Sequence, residues 1–195
     1  MDSAKGKVLI MGPKKCGKTK IANVLSGHEE APDFSGAYKP TKGCRILEFE
    51  EEVQTGKGRS VHLAVELWDC SGDEQYSNCW PAILRDVSGV VMVYDPQVRE
   101  QEKDIDTWYK SFVSRLGLKE QQILLFAHQR EAASRNNYQA PRGLDRFRFL
   151  NTTLDSEDST VQMKQAFTQF LGAVAVAAMD KSNADMDASL AFAER

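Results

Sequence analysis

An α/β fold is what this sequence predicts: a mostly parallel, doubly wound sheet of six strands, with one antiparallel edge strand and helices on both faces. Three observations carry the prediction. The apolar run Val8-Leu9-Ile10-Met11 leads through a glycine-bounded, lysine-rich turn into the helix-like segment Ile21–Leu25. Two further continuous apolar runs, Gly89–Tyr94 and Ile123–Ala127, read as strands covered on both faces. Between the first helix and those runs lie two segments of strand character joined by Thr55-Gly56-Lys57-Gly58, which suits a hairpin bend.

In chain order, Gly27 is placed to cap the first helix, and residues 28–43 are rich in turn formers without apolar periodicity. Cys44–Glu50 forms the outgoing strand of the hairpin. Val61–Trp68 returns, with Val61, Leu63, Val65 and Leu67 alternating against more polar neighbours. A short helix is predicted over Gln75–Arg85, restricted by Pro81. Ile105, Trp108, Phe112 and Leu116 fall at helical spacing and predict one buried stripe. Phe147–Leu150 is a weaker last strand. Ser159-Thr160-Val161-Gln162 has the pattern of a capping box opening a final helix, with Val161, Phe167, Phe170, Leu171 and Val174 facing inward. One domain over residues 1–179 is expected, followed by a polar, frayed, disordered tail over 180–195.

Composition narrows the class of function. With 42% hydrophobic and 27% charged residues in 195, the chain is ordinary for a globular domain. A net charge of −3 supplies no bulk field to draw it to nucleic acid. No signal peptide, no membrane-spanning run and no terminal prenylation cysteine is seen, so no direct membrane anchor is expected. The four cysteines lack metal-ligand spacing, and reduced thiols in a cytoplasmic setting are the simplest reading.

The chemistry starts at Gly12-Pro13-Lys14-Lys15-Cys16-Gly17-Lys18-Thr19, which is G-x-x-x-x-G-K-[ST] between a strand and a helix. Backbone amides from Lys14, Lys15, Cys16, Gly17, Lys18, Thr19 and Lys20 can line a concave anion site at the helix N-terminus. Lys18 is expected on the β- and γ-phosphates and Thr19 on Mg²⁺. The returning strand ends in Asp69-Cys70-Ser71-Gly72, where Asp69 can hold Mg²⁺ through water and the Gly72 amide can meet a γ-phosphate. Thr41, in Lys39-Pro40-Thr41-Lys42-Gly43, is placed to complete the metal shell. Tyr38 and Tyr76, on the two loops so defined, are the candidate partner-binding aromatics, with Trp80 divided evenly between surface and core.

On these residues the chain resembles the Ras and Rab superfamily of small GTPases over roughly residues 6–179, which implies the P-loop small-GTPase fold. Gly43–Glu50, Glu66–Asp73 and Cys79-Trp80-Pro81-Ala82 narrow the resemblance to the Rab-like subunits of the intraflagellar transport B complex. That resemblance implies GTP or GDP with Mg²⁺, coiled-coil transport subunits as partners, and a place in the cytoplasm, in the cilium or flagellum and at its base. It also implies a base-binding site at His128, Gln129, Glu131, Asn151 and Thr152.

The sequence departs from the family pattern in three places. Asp73 stands where a glutamine usually orients the attacking water. Lys14 stands where a small residue usually leaves room for an arginine finger, which is worth about 10³–10⁵ in rate where it operates. His128-Gln129-Arg130-Glu131 replaces Asn-Lys-x-Asp, so the guanine-reading carboxylate sits on a longer stem and the covering lysine is absent. No catalytic residue is assigned. Three readings stay open: a nucleotide-stabilised binding module with slow or negligible hydrolysis, an active regulatory GTPase, and a P-loop small-molecule kinase using the arginines between Arg130 and Arg148.

Overall fold

The structure, a computed structural model, describes residues 2–29, 38–56, 58–129 and 137–193, with side chains as far as residue 186. Its strands are β1 (Asp2–Met11), β2 (Cys44–Gln54), β3 (Ser60–Cys70), β4 (Gly89–Tyr94), β5 (Ile123–His128) and β6 (Arg148–Thr152). The helices are α1 (Lys18–Leu25), α2 (Trp80–Ile83), α3 (Arg99–Ser111) and α4 (Glu157–Ala193). One sheet takes all six strands in the order β2-β3-β1-β4-β5-β6. Only β2 runs antiparallel, and it lies on the edge beside β3, as the hairpin alternation predicts.

Successive residues of a strand point to opposite faces, and β1 divides its apolar run accordingly. Val8 and Ile10 join Ile21, Ala22 and Val24 of α1 and Met163, Phe167, Phe170 and Val174 of α4 in one core layer. Leu9 and Met11 join Trp80 and Ile83 of α2 and Ile105 of α3 in the other. The carboxyl ends of β1 and β3 meet where the chain leaves the sheet towards opposite faces, the usual position for a ligand in a doubly wound fold.

Several elements differ from their predicted bounds. The polar residues Asp2–Gly6 are strand because β1 pairs in parallel with β3 from Asp2↔Val61 to Ile10↔Asp69. The helix expected over Gln75–Arg85 is divided into a 3-10 helix, Glu74–Cys79, and the four-residue α2, with Pro81 in the first turn of α2. Proline lacks an N–H and is tolerated only at such a start, so the helix begins anew there. The stripe from Ile105 to Leu116 likewise spans α3 and a 3-10 turn, Val113–Arg115. Trp80 is core: its ring stacks on Phe112 at 4.6 Å and meets Trp108 edge-on at 5.2 Å.

The final helix opens three residues earlier than the capping-box pattern places it, at Glu157 where Ser159 as N-cap would start it at Thr160. Ser159 lies inside α4 and its hydroxyl accepts the Thr153 N–H at 2.9 Å. Val161 is exposed, contrary to expectation, because the buried stripe runs through Met163, Ala166, Phe167, Phe170, Leu171 and Val174, and Val161 falls on the far side. Past Asp180, where a polar tail is expected, α4 stays helical with exposed side chains to residue 186. Among the described residues, no helix is long and apolar enough to cross a membrane.

Gly89, at the start of β4, has α4 directly above it: an added Cβ would lie 2.6 Å from Val174 Cγ2 and 2.7 Å from Phe170 Cζ. Gly89→Ala is expected to overpack this layer and lower stability by about 1–3 kcal/mol in chemical denaturation. An unchanged midpoint would show that α4 is free to move away from the sheet.

Candidate functional site

The turn between β1 and α1 is shaped by its own backbone. Gly17 is the N-cap of α1 in the left-handed region, at φ 91°, with no side chain capping the helix. The first amides of α1 have no intrahelical acceptors, as at any helix start, and no side chain caps them. A Cβ on Gly17 would fall 2.5 Å from His128 Cδ2, so glycine is required for space as well as for conformation.

Lys18 is buried and folds back across this turn. Its Nζ donates to the carbonyls of Gly12 at 2.9 Å and Pro13 at 2.6 Å, and makes a weak 3.7 Å contact with Cys16 Sγ. Cys16 is buried, its Sγ 3.1 Å from the Pro13 carbonyl and 3.2 Å from that of Val93. Lys14 and Lys15 are exposed at the rim, and Lys20 lies 3.8 Å from Glu29.

Beside Lys18 the three metal-ligand candidates come together. The hydroxyls of Thr19 and Thr41 are 2.8 Å apart, which joins the loop ahead of β2 to the first turn of α1. Asp69, at the end of β3, is fully buried, and neither carboxylate oxygen has a hydrogen-bond partner. Burial pushes its carboxyl above the ordinary aspartate range, against the pull of the neighbouring Thr19, Arg45 and Lys18. Arg45, its neighbour across the β2–β3 pair, approaches to 3.4 Å and is also held by Asn23. Two threonine hydroxyls beside a buried carboxylate without donors form an all-oxygen set, as Mg²⁺ requires.

The departures at Lys14 and Asp73 belong together. Lys14 Nζ is 2.9 Å from Asp73 Oδ2, and that pairing holds the aspartate below and the lysine above their ordinary ranges. Asp73 also caps the 3-10 helix through the Gln75 N–H at 3.1 Å and receives the Gln75 side-chain amide at 2.9 Å. Gly72 packs so tightly on the phosphate loop that a Cβ would meet the Gly12 carbonyl at 2.6 Å and Lys14 N at 2.7 Å. Gln101, which sequence reasoning missed, donates to the Lys14 carbonyl and accepts the Asp95 N–H, both at 2.9 Å. It ties the loop to α3, and nothing in its local sequence marks it.

The base-reading candidates form a different kind of arrangement. His128 is buried against Gly17, with Nδ1 3.1 Å from the Thr152 hydroxyl, and the Gln129 N–H donates to the Thr152 carbonyl at 2.8 Å. Asn151 pairs with the backbone of Tyr138 in both directions, at 2.9 and 3.1 Å. Arg130 and Glu131 lie outside the described residues. Tyr38 is exposed, 5.8 Å from Lys15 Nζ, and Tyr76 is half-buried. Two of the arginines that a kinase lid would need are engaged elsewhere: Arg146 on Tyr109 and Phe147, Arg148 on Gln169 of α4.

Residues 7–130 match the family model described as Ras of Complex, Roc, domain of DAPkinase. The chain is 40% identical to an intraflagellar transport protein 22 homolog of Danio rerio over 87% of its own length and 90% of the relative's. Its identity to the Homo sapiens homolog is 32% over the same shares. Among solved structures, it matches the GTP-bound T. brucei IFT22/74/81 crystal structure at a TM-score of 0.67 and 29% identity, covering 87% of this chain and 94% of that one. The GDP-bound T. brucei IFT22 crystal structure matches at a TM-score of 0.59 and 28% identity, over 86% and 96% of the two chains.

A buried carboxylate that accepts no hydrogen bond destabilises the protein that carries it, and Arg45 at 3.4 Å offsets that cost only in part, since burial still holds the Asp69 carboxyl above its ordinary range. In chelator, Asp69→Asn is expected to raise stability by about 1–2 kcal/mol in urea denaturation, since Arg45 keeps Asn23 and partial exposure. With Mg²⁺ and nucleotide present the order should reverse. A variant less stable in chelator would show that Asp69 is already satisfied by Arg45.

Proposed function

The chain belongs to the intraflagellar transport protein 22 family of Ras-like GTPase-fold proteins, and from that membership we propose its function. It is a guanine-nucleotide-binding, Rab-like subunit of the intraflagellar transport B complex, and works as a binding module with slow or negligible hydrolysis. Bound GTP or GDP orders the loops around Thr41 and Gly72, and the ordered surface docks coiled-coil transport subunits. A cytoplasmic protein of the cilium or flagellum and its base follows from the same reading.

Phosphates sit on the amides from Lys14 to Lys20, with Lys18 reaching the β- and γ-phosphates. Thr19 and Thr41 would hold Mg²⁺ through their hydroxyls and Asp69 would hold it through water, and the ion would supply charge neutralisation on the phosphates. The Gly72 N–H would meet the γ-phosphate. Guanine is taken by the His128–Glu131 loop and by Asn151 and Thr152, where His128 and Thr152 brace the phosphate loop as much as they offer contacts to a base.

The observation that carries the module reading is the Lys14–Asp73 ion pair at 2.9 Å. In an efficient hydrolase the residue after the γ-phosphate glycine orients water, and the third loop position leaves space for a cation from a partner. Here an acidic side chain occupies the first position and is turned to a lysine in the second. Neither group is free for its usual task while they are paired.

Nucleotide released from purified protein and identified by chromatography tests the base and the occupancy together. Single-turnover hydrolysis is expected on the order of 10⁻⁴ s⁻¹ or below. Replacing both members of the pair, Lys14→Gly with Asp73→Gln, should speed it, whereas turnover within seconds by the unaltered protein would refute the module reading.

The partner surface is proposed on the same two loops and on β2 between them, with Tyr38 and Tyr76 as anchors. A protein carrying both Tyr38→Ala and Tyr76→Ala should lose capture by the transport subunits while nucleotide affinity stays within a few-fold. Full capture by the double variant would place the surface elsewhere.

A further inference from the structure

Cys44 and Cys70 face each other across the hairpin at the root of the two loops. They are register partners in the β2–β3 pair, and their sulfurs lie 3.8 Å apart. The Ser71 N–H donates to the Gly43 carbonyl at 2.8 Å, which makes Gly43 and Ser71 the hydrogen-bonded pair and leaves Cys44 and Cys70 as the adjacent non-hydrogen-bonded pair. Such pairs hold their Cα atoms about 4.5 Å apart, within the span of about 4.4–6.8 Å that a disulfide bridges. The sulfurs need only side-chain rotation to bond. Cys70 is buried and Cys44 half-buried, so an oxidant arrives at Cys44 first.

We propose that Cys44 and Cys70 form a reversible, peroxide-sensitive dithiol that fastens the root of the Thr41 loop to the strand carrying Asp69. The Cys44 sulfur attacks a peroxide oxygen, the O–O bond breaks, and Cys44 becomes a sulfenic acid with release of water. The Cys70 sulfur then attacks the Cys44 sulfur and displaces the hydroxyl, which leaves as a second water with the thiol proton. Two thiols are oxidised by two electrons in all, and one peroxide is reduced to two waters. A reducing thiol reverses the bond by exchange through a mixed disulfide at Cys44.

The position gives the bond its consequence. Cys44 begins β2 three residues after Thr41, and Cys70 follows Asp69 directly. In the reduced protein the last rungs of this edge pair are held on one side only, because among the described residues β2 has no strand on its other side. A covalent rung at Cys44–Cys70 forbids their opening and confines the Thr41 loop. An effect on nucleotide release rests on the functional reading above; the cross-link itself does not.

The test treats full-length Cys79→Ser protein, which lacks the exposed thiol, with stoichiometric hydrogen peroxide. Intact mass should fall by two hydrogens, and a non-reducing digest should join the Cys44 and Cys70 peptides. Hydrogen exchange across residues 38–46 should slow, nucleotide release should slow several-fold, and dithiothreitol should restore both. Cys44→Ser should lose all of these responses. Oxidation of Cys44 to the sulfinic acid without a cross-link, or a cross-link without slowed exchange, would overturn the proposal. A protein that binds no nucleotide would refute the functional reading and leave mass and exchange to decide this one.

Discussion

The phosphate half of the site depends on an ammonium buried against backbone. Lys18 follows the turn it closes, and its bonds to the Gly12 and Pro13 carbonyls draw the start of the loop towards the start of α1. Two carbonyls of the turn are thereby satisfied by the ammonium. The burial of a charge is tolerable here because it is hydrogen-bonded from the outset. Around that point every neighbour is placed by contact: Gly72 against Gly12 and Lys14, His128 against Gly17, Gln101 against the Lys14 carbonyl. A side chain added at Gly17 or Gly72 would therefore displace the loop before it met any ligand.

Most of the fold was legible because burial on two faces leaves an unambiguous record. Gly89–Tyr94 and Ile123–Ala127 are apolar throughout, and each is a central strand of the sheet. The antiparallel edge was equally legible from the alternation in Val61–Trp68. What the residues did not disclose was structure imposed by a distant partner. Asp2–Gly6 have no strand pattern of their own and are strand because β3 continues beside them. Val161 follows the pattern of an apolar helix residue, yet the helix phase, fixed by Met163 and Phe167, turns it to solvent.

In the candidate site, identity was legible and pairing was not. Lys14 and Asp73 each stood out as a departure from pattern, but only the folded loops bring their charges to 2.9 Å. Lys14 is exposed and Asp73 half-buried, so solvent screens the pair and it adds little stability; its importance is geometric, since it directs two side chains at each other. Arg45 gave no signal as a single residue, and its approach to Asp69 follows from strand register. Gln101 could not have been found at all, being joined to Lys14 across 87 positions. Arg130 and Glu131 lie outside the described residues, so their sequence reading receives no geometry.

The two halves of the site differ in how they use their residues. At the phosphate end, Lys18 is bonded to the Gly12 and Pro13 carbonyls and the Thr19 and Thr41 hydroxyls to each other, while the Asp69 carboxylate, with Arg45 at 3.4 Å, accepts no hydrogen bond. At the base end, His128 and Thr152 bond to each other and Asn151 bonds to Tyr138, so the polar groups there are consumed in holding β5, β6 and the following loop together. Groups that are free to exchange a protein contact for a ligand contact supply affinity; groups already satisfied supply shape. Under the proposed function, phosphates and metal supply most of the affinity, with the base admitted by fit and by whatever the loop beyond Gln129 adds. On that proposal the nucleotide is held chiefly as a charged core for two loops. That is the property a docking module needs, and it places little demand on turnover.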